Sequence, residues 1–251
     1  MSGHSHARTI KHQKELTDQK RGQVFSKMAR VISLAVKEGG QNPETNNKLK
    51  VAMEQAKQFN MPRGNIERAI KQVTDKGEGA NLIEVVFEAY GPGGVAIIIE
   101  GITDNKNRTL GEIKQTLSQH QGKLVAEGAI KWMFERRGTI MVDIKNRLEQ
   151  TAKNLPNIKN EELELKAIES GAEDYYWRND YLEIYTKAEN LEKVKQGLKD
   201  KKIKIESASL DWIAKERVAV GEKEKELCQK LFEALDENEA VQEIYSNIKL
   251  P

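Results

Sequence analysis

The chain has 251 residues, with 41 Lys and Arg against 39 Asp and Glu, a single cysteine and an aromatic share of 6%. That length favours two or three domains over one core, and the longest strongly apolar run, Val95 to Ile99, is far too short to cross a bilayer. Cys228 has no cysteine to pair with, and the polar, basic first twenty residues lack an apolar signal core, so the expectation is a cytoplasmic protein without disulfides.

Residues 1–10 hold small and polar side chains without an apolar period, which predicts a flexible basic arm. From Lys11 the period becomes helical: Val24, Met28, Val31 and Ala35 share a face, while Lys20, Lys27 and Arg30 lie largely off that stripe. Gly39-Gly40 predicts the end of this helix. Asn42-Pro43 predicts the next start, followed by the stripe Leu49, Ala52, Met53 and Ala56. Asn60-Met61-Pro62 interrupts the pattern, because a residue before proline avoids the α region. A third stripe follows at Ile66, Ala69, Ile70 and Val73. Three short helices bury their stripes against one another, giving a helical bundle over residues 11–76.

Asp75 to Asn81 reads as a linker, after which the period turns extended. Ile83–Tyr90 and Val95–Thr103 are expected to form a hairpin through Gly91-Pro92-Gly93-Gly94. Thr103-Asp104-Asn105 offers caps for a helix to about Gln119, with Leu110, Ile113 and Leu117 inward and Gly122 closing it. Leu124, and then Ile130, Trp132 and Phe134, read as extended, with Trp132 and Phe134 on one strand face.

Beyond Gly138 the order is a strand at Thr139–Ile144, a helix near Glu161–Ser170, extended segments at Ala172–Trp177 and Tyr181–Thr186, a helix with Leu191, Val194 and Leu198, and a strand with Ile203 and Ile205. This βαββαβ order is that of a ferredoxin-like module. A last helix from Glu222 carries Leu227, Leu231, Ala234 and Leu235 on one side and must pack back on residues 80–135. The expected fold class is therefore α+β, in three domains. An N-terminal three-helix domain spans 11–76, a discontinuous α/β middle domain spans 80–137 plus 214–251, and an inserted ferredoxin-like βαββαβ domain spans 138–213.

Charge is distributed unevenly over this layout. Residues 1–80 carry 15 Lys and Arg against 8 Asp and Glu, a net of +7, and residues 81–251 carry the balancing −5. A basic head on an acidic body points to a polyanion at one end. Phosphate-contact candidates are His4, Arg8, Lys11, His12, Lys14, Lys20, Arg21, Lys27 and Arg30. No zinc-finger spacing, basic zipper or base-reading helix accompanies them, so the head is suited to tracking a phosphate backbone of DNA or ribosomal RNA.

Other motifs resolve to structural readings. Gly91–Gly94 joins two strands, where a phosphate loop needs a strand followed by a helix. Asp104 and Asn105 are accounted for by capping, although a helix start that also carries Asn107, Arg108 and Thr109 could hold an anion. The strand Thr139–Ile144 lacks the aromatics of an RNA-recognition module, so Tyr175, Tyr176, Trp177, Tyr181 and Tyr185 are read as packing. His4, His6 and His12 have no completing ligands for a metal. No catalytic constellation surrounds Cys228 or His120, so neither an enzyme nor a cofactor is expected.

Several segments carry a family resemblance. They are Gly3-His4-Ser5, Ile10-Lys11-His12, Asn60-Met61-Pro62 with Asn65-Ile66-Glu67-Arg68-Ala69-Ile70, Tyr90-Gly91-Pro92-Gly93-Gly94, Thr103-Asp104-Asn105-Lys106-Asn107-Arg108-Thr109, Trp132-Met133-Phe134-Glu135-Arg136, and Val241 with Tyr245-Ser246-Asn247. In this order they resemble the YebC family. The resemblance implies a helical N-terminal bundle, a discontinuous middle domain and an inserted ferredoxin-like one. It implies either a DNA-binding transcriptional regulator or a ribosome-associated translation factor, the family including a mitochondrial translational activator of cytochrome oxidase. The arm departs from the family pattern, with His6-Ala7 where Lys-Trp is usual, and Glu239-Ala240 replaces an acidic pair. The combined expectation is a nucleic-acid-binding regulator that binds DNA through its basic arm and helix. The alternative is a translation factor on ribosomal RNA, and in either case the acidic body would be free to meet a protein partner.

Overall fold

The computed structural model describes residues 18–76, 81–143, 160–177 and 181–249. They form an α+β protein of two compact units, one built from residues 132–217 and the other from the described residues before and after them.

In the larger unit, helix α1 (Asp18–Gly39) buries Val24, Met28, Ile32, Ala35 and Val36. Gly40, at φ +82°, ends it, its N–H donating to the Val36 carbonyl at 2.8 Å. The cap of α2 (Asn47–Gln58) is Asn46 and not Asn42. Asn42 instead closes a turn, its side chain accepting from Glu44 N–H and its carbonyl from Asn46 N–H. The Asn46 side chain accepts from Leu49 N–H at 3.0 Å and donates to the carbonyls of Ala35 and Gly40, so one buried amide ties the end of α1 to the start of α2. Helix α3 (Arg63–Lys76) adds Ile66 and Ala69 to the same core, with Ile70 and Val73 half-buried beside it.

The α2 terminus is a Schellman motif. Asn60 stands at φ +55°, and Met61 N–H reaches back to the Ala56 carbonyl at 3.0 Å while its side chain is buried. The same bond, five residues back, closes three other helices, through Gly122 to Leu117, Ala172 to Ala167 and Ile203 to Leu198.

Strands β1 (Ile83–Tyr90), β2 (Ala96–Thr103), β3 (Lys123–Val125) and β8 (Val241–Ser246) make an antiparallel sheet in the order β3-β1-β2-β8. The hairpin turn is a single 3-10 turn in which Gly93 and Gly94 both take positive φ. Helices α4 (Lys106–Gln119) and α7 (Glu222–Asp236) share one core with this sheet, burying Phe87, Ile97, Ile99, Ile113, Leu117, Leu231, Phe232 and Ile244. Glu88 is a buried carboxylate between strand and loop, accepting from the N–H groups of Gly128, Ile130 and Lys131 at 2.6–2.9 Å.

The smaller unit has the order β4 (Phe134–Asp143), α5 (Asn160–Glu169), β5 (Asp174–Trp177), β6 (Tyr181–Lys187), α6 (Leu191–Asp200) and β7 (Ser207–Ala214). Its sheet runs β5-β6-β4-β7, antiparallel throughout, which is the ferredoxin-like topology. Both helices pack on one face, over Ile140, Val142, Leu182 and Ile184. Two sequence expectations are corrected here. Trp132 lies in a one-turn 3-10 helix, 67% exposed, and β4 begins only at Phe134, so these two residues share no strand face. Ile203 and Ile205 precede the last strand: Lys202 takes φ +60° and Ile203 is the apolar residue that closes the Schellman motif of α6, which places β7 at Ser207–Ala214.

Candidate nucleic-acid interface

Of the nine sequence candidates, His4, Arg8, Lys11, His12 and Lys14 lie outside the described residues. The remaining four are on α1 and divide by position. Lys20 and Arg21 are exposed in its first turn. Lys27, one to two turns on, is only 4% exposed, and its ammonium donates to the Asp236 carboxylate and to the Asp236 backbone carbonyl, each at 2.6 Å. Arg30 is half-buried and pairs with Glu239 at 3.1 Å. The helix thus offers charge at its start and uses charge within the fold farther along, where it meets the C-terminal end of α7 and the loop after it.

A small polar network continues from that seam. Arg108 holds Asp104 at 2.5 Å and lies 3.8 Å from Glu112, which accepts from the Asn238 side-chain amide. Partial burial opposes the charged form of Asp104, yet its own backbone N–H and the nearby guanidinium groups of Arg108 and Arg30 hold its carboxyl below the usual range. The Asn105 side chain accepts from Arg108 N–H, so the start of α4 is satisfied by its own caps.

The bundle carries further exposed cations that the sequence reading did not select: Lys50 and Lys57 on α2, and Arg63, Arg68 and Lys71 on α3. Arg63 is bonded to Glu67. The available signal was the charge count of the bundle, 12 Lys and Arg against 6 Asp and Glu over residues 18–76. Composition alone does not say which way each side chain faces.

Elsewhere the chemistry is structural. A cleft of about 280 Å³ between α1, α2 and the sheet is lined by Val31, Leu34, Val51 and Ile102, with Lys48 bonded to Glu38 at its rim. That bond raises the Lys48 ammonium above its ordinary pKa, the nearby Glu84 adding to it. Burial pushes the Cys228 thiol up to about 11, and it donates to the Pro92 carbonyl, so it is not a thiolate nucleophile near neutrality. Among the described residues, no group of three His, Cys, Asp or Glu side chains is arranged to hold a metal, and no helix is long and apolar enough to cross a membrane.

A basic three-helix bundle, an antiparallel sheet completed by the C-terminal strand, and a ferredoxin-like insert define a three-part α+β class. Comparison with known proteins gives that class its family. Residues 5–76 match the TACO1/YebC protein N-terminal domain, and residues 82–248 match the TACO1/YebC second and third domain. The chain belongs to the YebC family. A "probable transcriptional regulatory protein" of Thermoanaerobacter pseudethanolicus is 41% identical over 250 residues, spanning 100% of this chain and 98% of its own. A protein of the same description from Pseudothermotoga lettingae is 44% identical over 250 residues, 100% of this chain and 94% of its own. The crystal structure of a conserved hypothetical protein from Aquifex aeolicus superposes with a TM-score of 0.80 at 41% identity, covering 93% of this chain and 92% of that one.

Proposed function

We propose that the chain is a nucleic-acid-binding regulator of gene expression that meets phosphates through its N-terminal arm and the start of α1. The observation that carries this reading is positional. Lys20 and Arg21 are exposed where α1 begins, directly after an arm that holds Arg8, Lys11 and Lys14. The remainder from residue 81 is net acidic and repels a polyanion, which confines contact to the head. The relatives' description as transcriptional regulators supports the regulatory part of the reading and favours DNA.

A second reading, a translation factor on ribosomal RNA, is favoured by the character of the contact surface. The exposed start of α1 offers Lys20 and Arg21, and a surface that tracks a phosphate backbone serves folded RNA as well as duplex DNA. Crosslinking in cells, followed by sequencing of bound RNA and bound DNA, separates the two. Wild type is compared with a variant in which Lys11, Lys14, Lys20 and Arg21 are changed to Ala. Discrete promoters lost in the variant support the DNA regulator, and ribosomal RNA lost in the variant supports the translation factor. Binding unchanged by the four substitutions overturns the arm-and-helix mechanism in both forms.

A further inference from the structure

Strand β1 pairs with β2 along its whole length, but with β3 only at Glu88, Ala89 and Tyr90. Among the described residues, its edge over residues 83–87 has neither a strand partner nor a backbone bond from a loop. At about 3.3 Å per residue this leaves roughly 17 Å of ladder with one side unmade. Natural sheet edges are blunted by Lys, Pro, a bulge or a covering element. This one runs in unbroken register without Lys or Pro, and it exposes Ile83 (41%) and Val86 (38%). Its one charge is the exposed Glu84.

Successive residues of a strand alternate between faces. Val85 and Phe87 belong to the core shared with α4 and α7, so Glu84 and Val86 lie on the other face, where Glu84 stands opposite Ile102. Glu84 and Ile102 are also the sheet wall of the cleft of about 280 Å³ whose helical wall includes Val31, Leu34 and Val51. At its rim Lys48 is bonded to Glu38, and the field of Glu84 adds to that of Glu38 at the ammonium. Two carboxylates thus share one cation beside an apolar floor, and Glu84 itself forms no ion pair among the described residues.

We infer that the open β1 edge and this cleft form one docking site for an extended segment of a partner protein, which adds a strand along residues 83–87 and lays a Lys or Arg side chain in the cleft. Strand addition draws affinity from main-chain bonds and specificity from pockets for alternate side chains, and both parts are present here. The lining sets the occupant's chemistry. A lysine or arginine has an apolar stem and a cationic head, which matches an apolar floor with an acidic rim. Its cross-strand neighbour is Glu84, and an aliphatic side chain two residues on meets Val86, while acidic segments are repelled. Antiparallel self-pairing about Val85 would set Val86, not a cation, opposite Glu84, so a second copy of the chain is the poorer fit. The inference goes beyond the nucleic-acid reading and stands without it.

The probe is a fluorescein-labelled Val-Thr-Lys-Thr-Val peptide, whose pattern reads alike in either strand direction, added to the full chain and followed by anisotropy. Replacing its Lys by Glu, or making Glu84→Lys in the protein, is expected to weaken binding by about tenfold or more, and the two changes together restore it. N-methylation of alternate peptide amides gives a sharper signature on the unaltered protein. One set abolishes binding and the other spares it, because only alternate N–H groups of an added strand face β1. Amide exchange over residues 83–87 slows by about threefold or more in the bound state. No binding at millimolar peptide, binding that both methylated sets retain, or exchange at residues 83–87 that peptide leaves unchanged overturns the site. Protection of residues 83–87 that grows with protein concentration alone makes the occupant a second copy and overturns the partner assignment.

Discussion

Lys27 shows how one residue type acquires opposite roles along a single helix. In sequence it resembles Lys20, a lysine near an apolar stripe, and its partner Asp236 lies 209 positions away, where no local pattern reveals it. In the fold its side chain is 5% exposed and that of Asp236 is 29% exposed, so the two halves of the pair face different alternatives to pairing. Lys27→Met leaves a carboxylate that water reaches, whereas Asp236→Ala leaves a buried ammonium without this counter-charge. The asymmetry of breaking a buried pair predicts a cost of about 1 kcal/mol for the first and about 3 kcal/mol for the second. Urea unfolding of both variants measures it, and equal costs would show that the burial difference is unimportant. Neither substitution is expected to weaken nucleic-acid affinity as Lys20→Ala does, because the Lys27 charge is spent inside the fold.

At the scale of elements, periodicity read the helices well and the strands less well. The stripes of α2, α3 and α4 face the cores as their spacing requires, with Met53, Ile70, Val73 and Leu110 partly buried at the margins. Ile203 was misread because an apolar residue that follows a helix by three positions serves a Schellman closure as well as it starts a strand. Strand β8 carries too short an alternation to announce itself, and it exists because β2 offers it an edge. Asn46 outcompeted Asn42 as a cap because its amide also meets two carbonyls at the end of α1, a tertiary reward that the Asn-Pro signal cannot contain. Glycines show the same division between local and tertiary demands. A Cβ at Gly111, on the exposed side of α4, meets nothing within 4 Å, whereas one at Gly101 stands 2.6 Å from the Ala240 carbonyl oxygen, where β2 and β8 change register. Gly111→Ala is expected to stabilise by about 0.5–1 kcal/mol through helix propensity. Gly101→Ala, facing backbone that must move, should cost about 2 kcal/mol or more. Thermal unfolding of the pair checks both signs.

For the whole molecule, the charge asymmetry read from the chain survives folding, but its distribution over surfaces does not follow from counting. The head is basic in composition, yet Lys27 and Arg30 are committed to Asp236 and Glu239, and Lys37 donates to the Leu82 carbonyl, so the effective cation count is smaller than the formal one. Salt dependence measures that effective count. Each phosphate neutralised on duplex DNA contributes about −0.9 to the slope of log affinity against log salt, so about five contacts from the arm and the start of α1 give a slope near −4.5. Lys20→Ala with Arg21→Ala should flatten that slope by about 1.8, whereas Lys27→Met should leave it unchanged. Fluorescence anisotropy with a duplex across a salt series supplies the comparison. A slope that Lys27→Met flattens as much as the double variant would mean that the seam with α7 opens on binding and releases its lysine to the phosphates. An unchanged slope in both variants would take Lys20 and Arg21 out of the interface and leave the contact to the cations of the arm or to the exposed cations of α2 and α3.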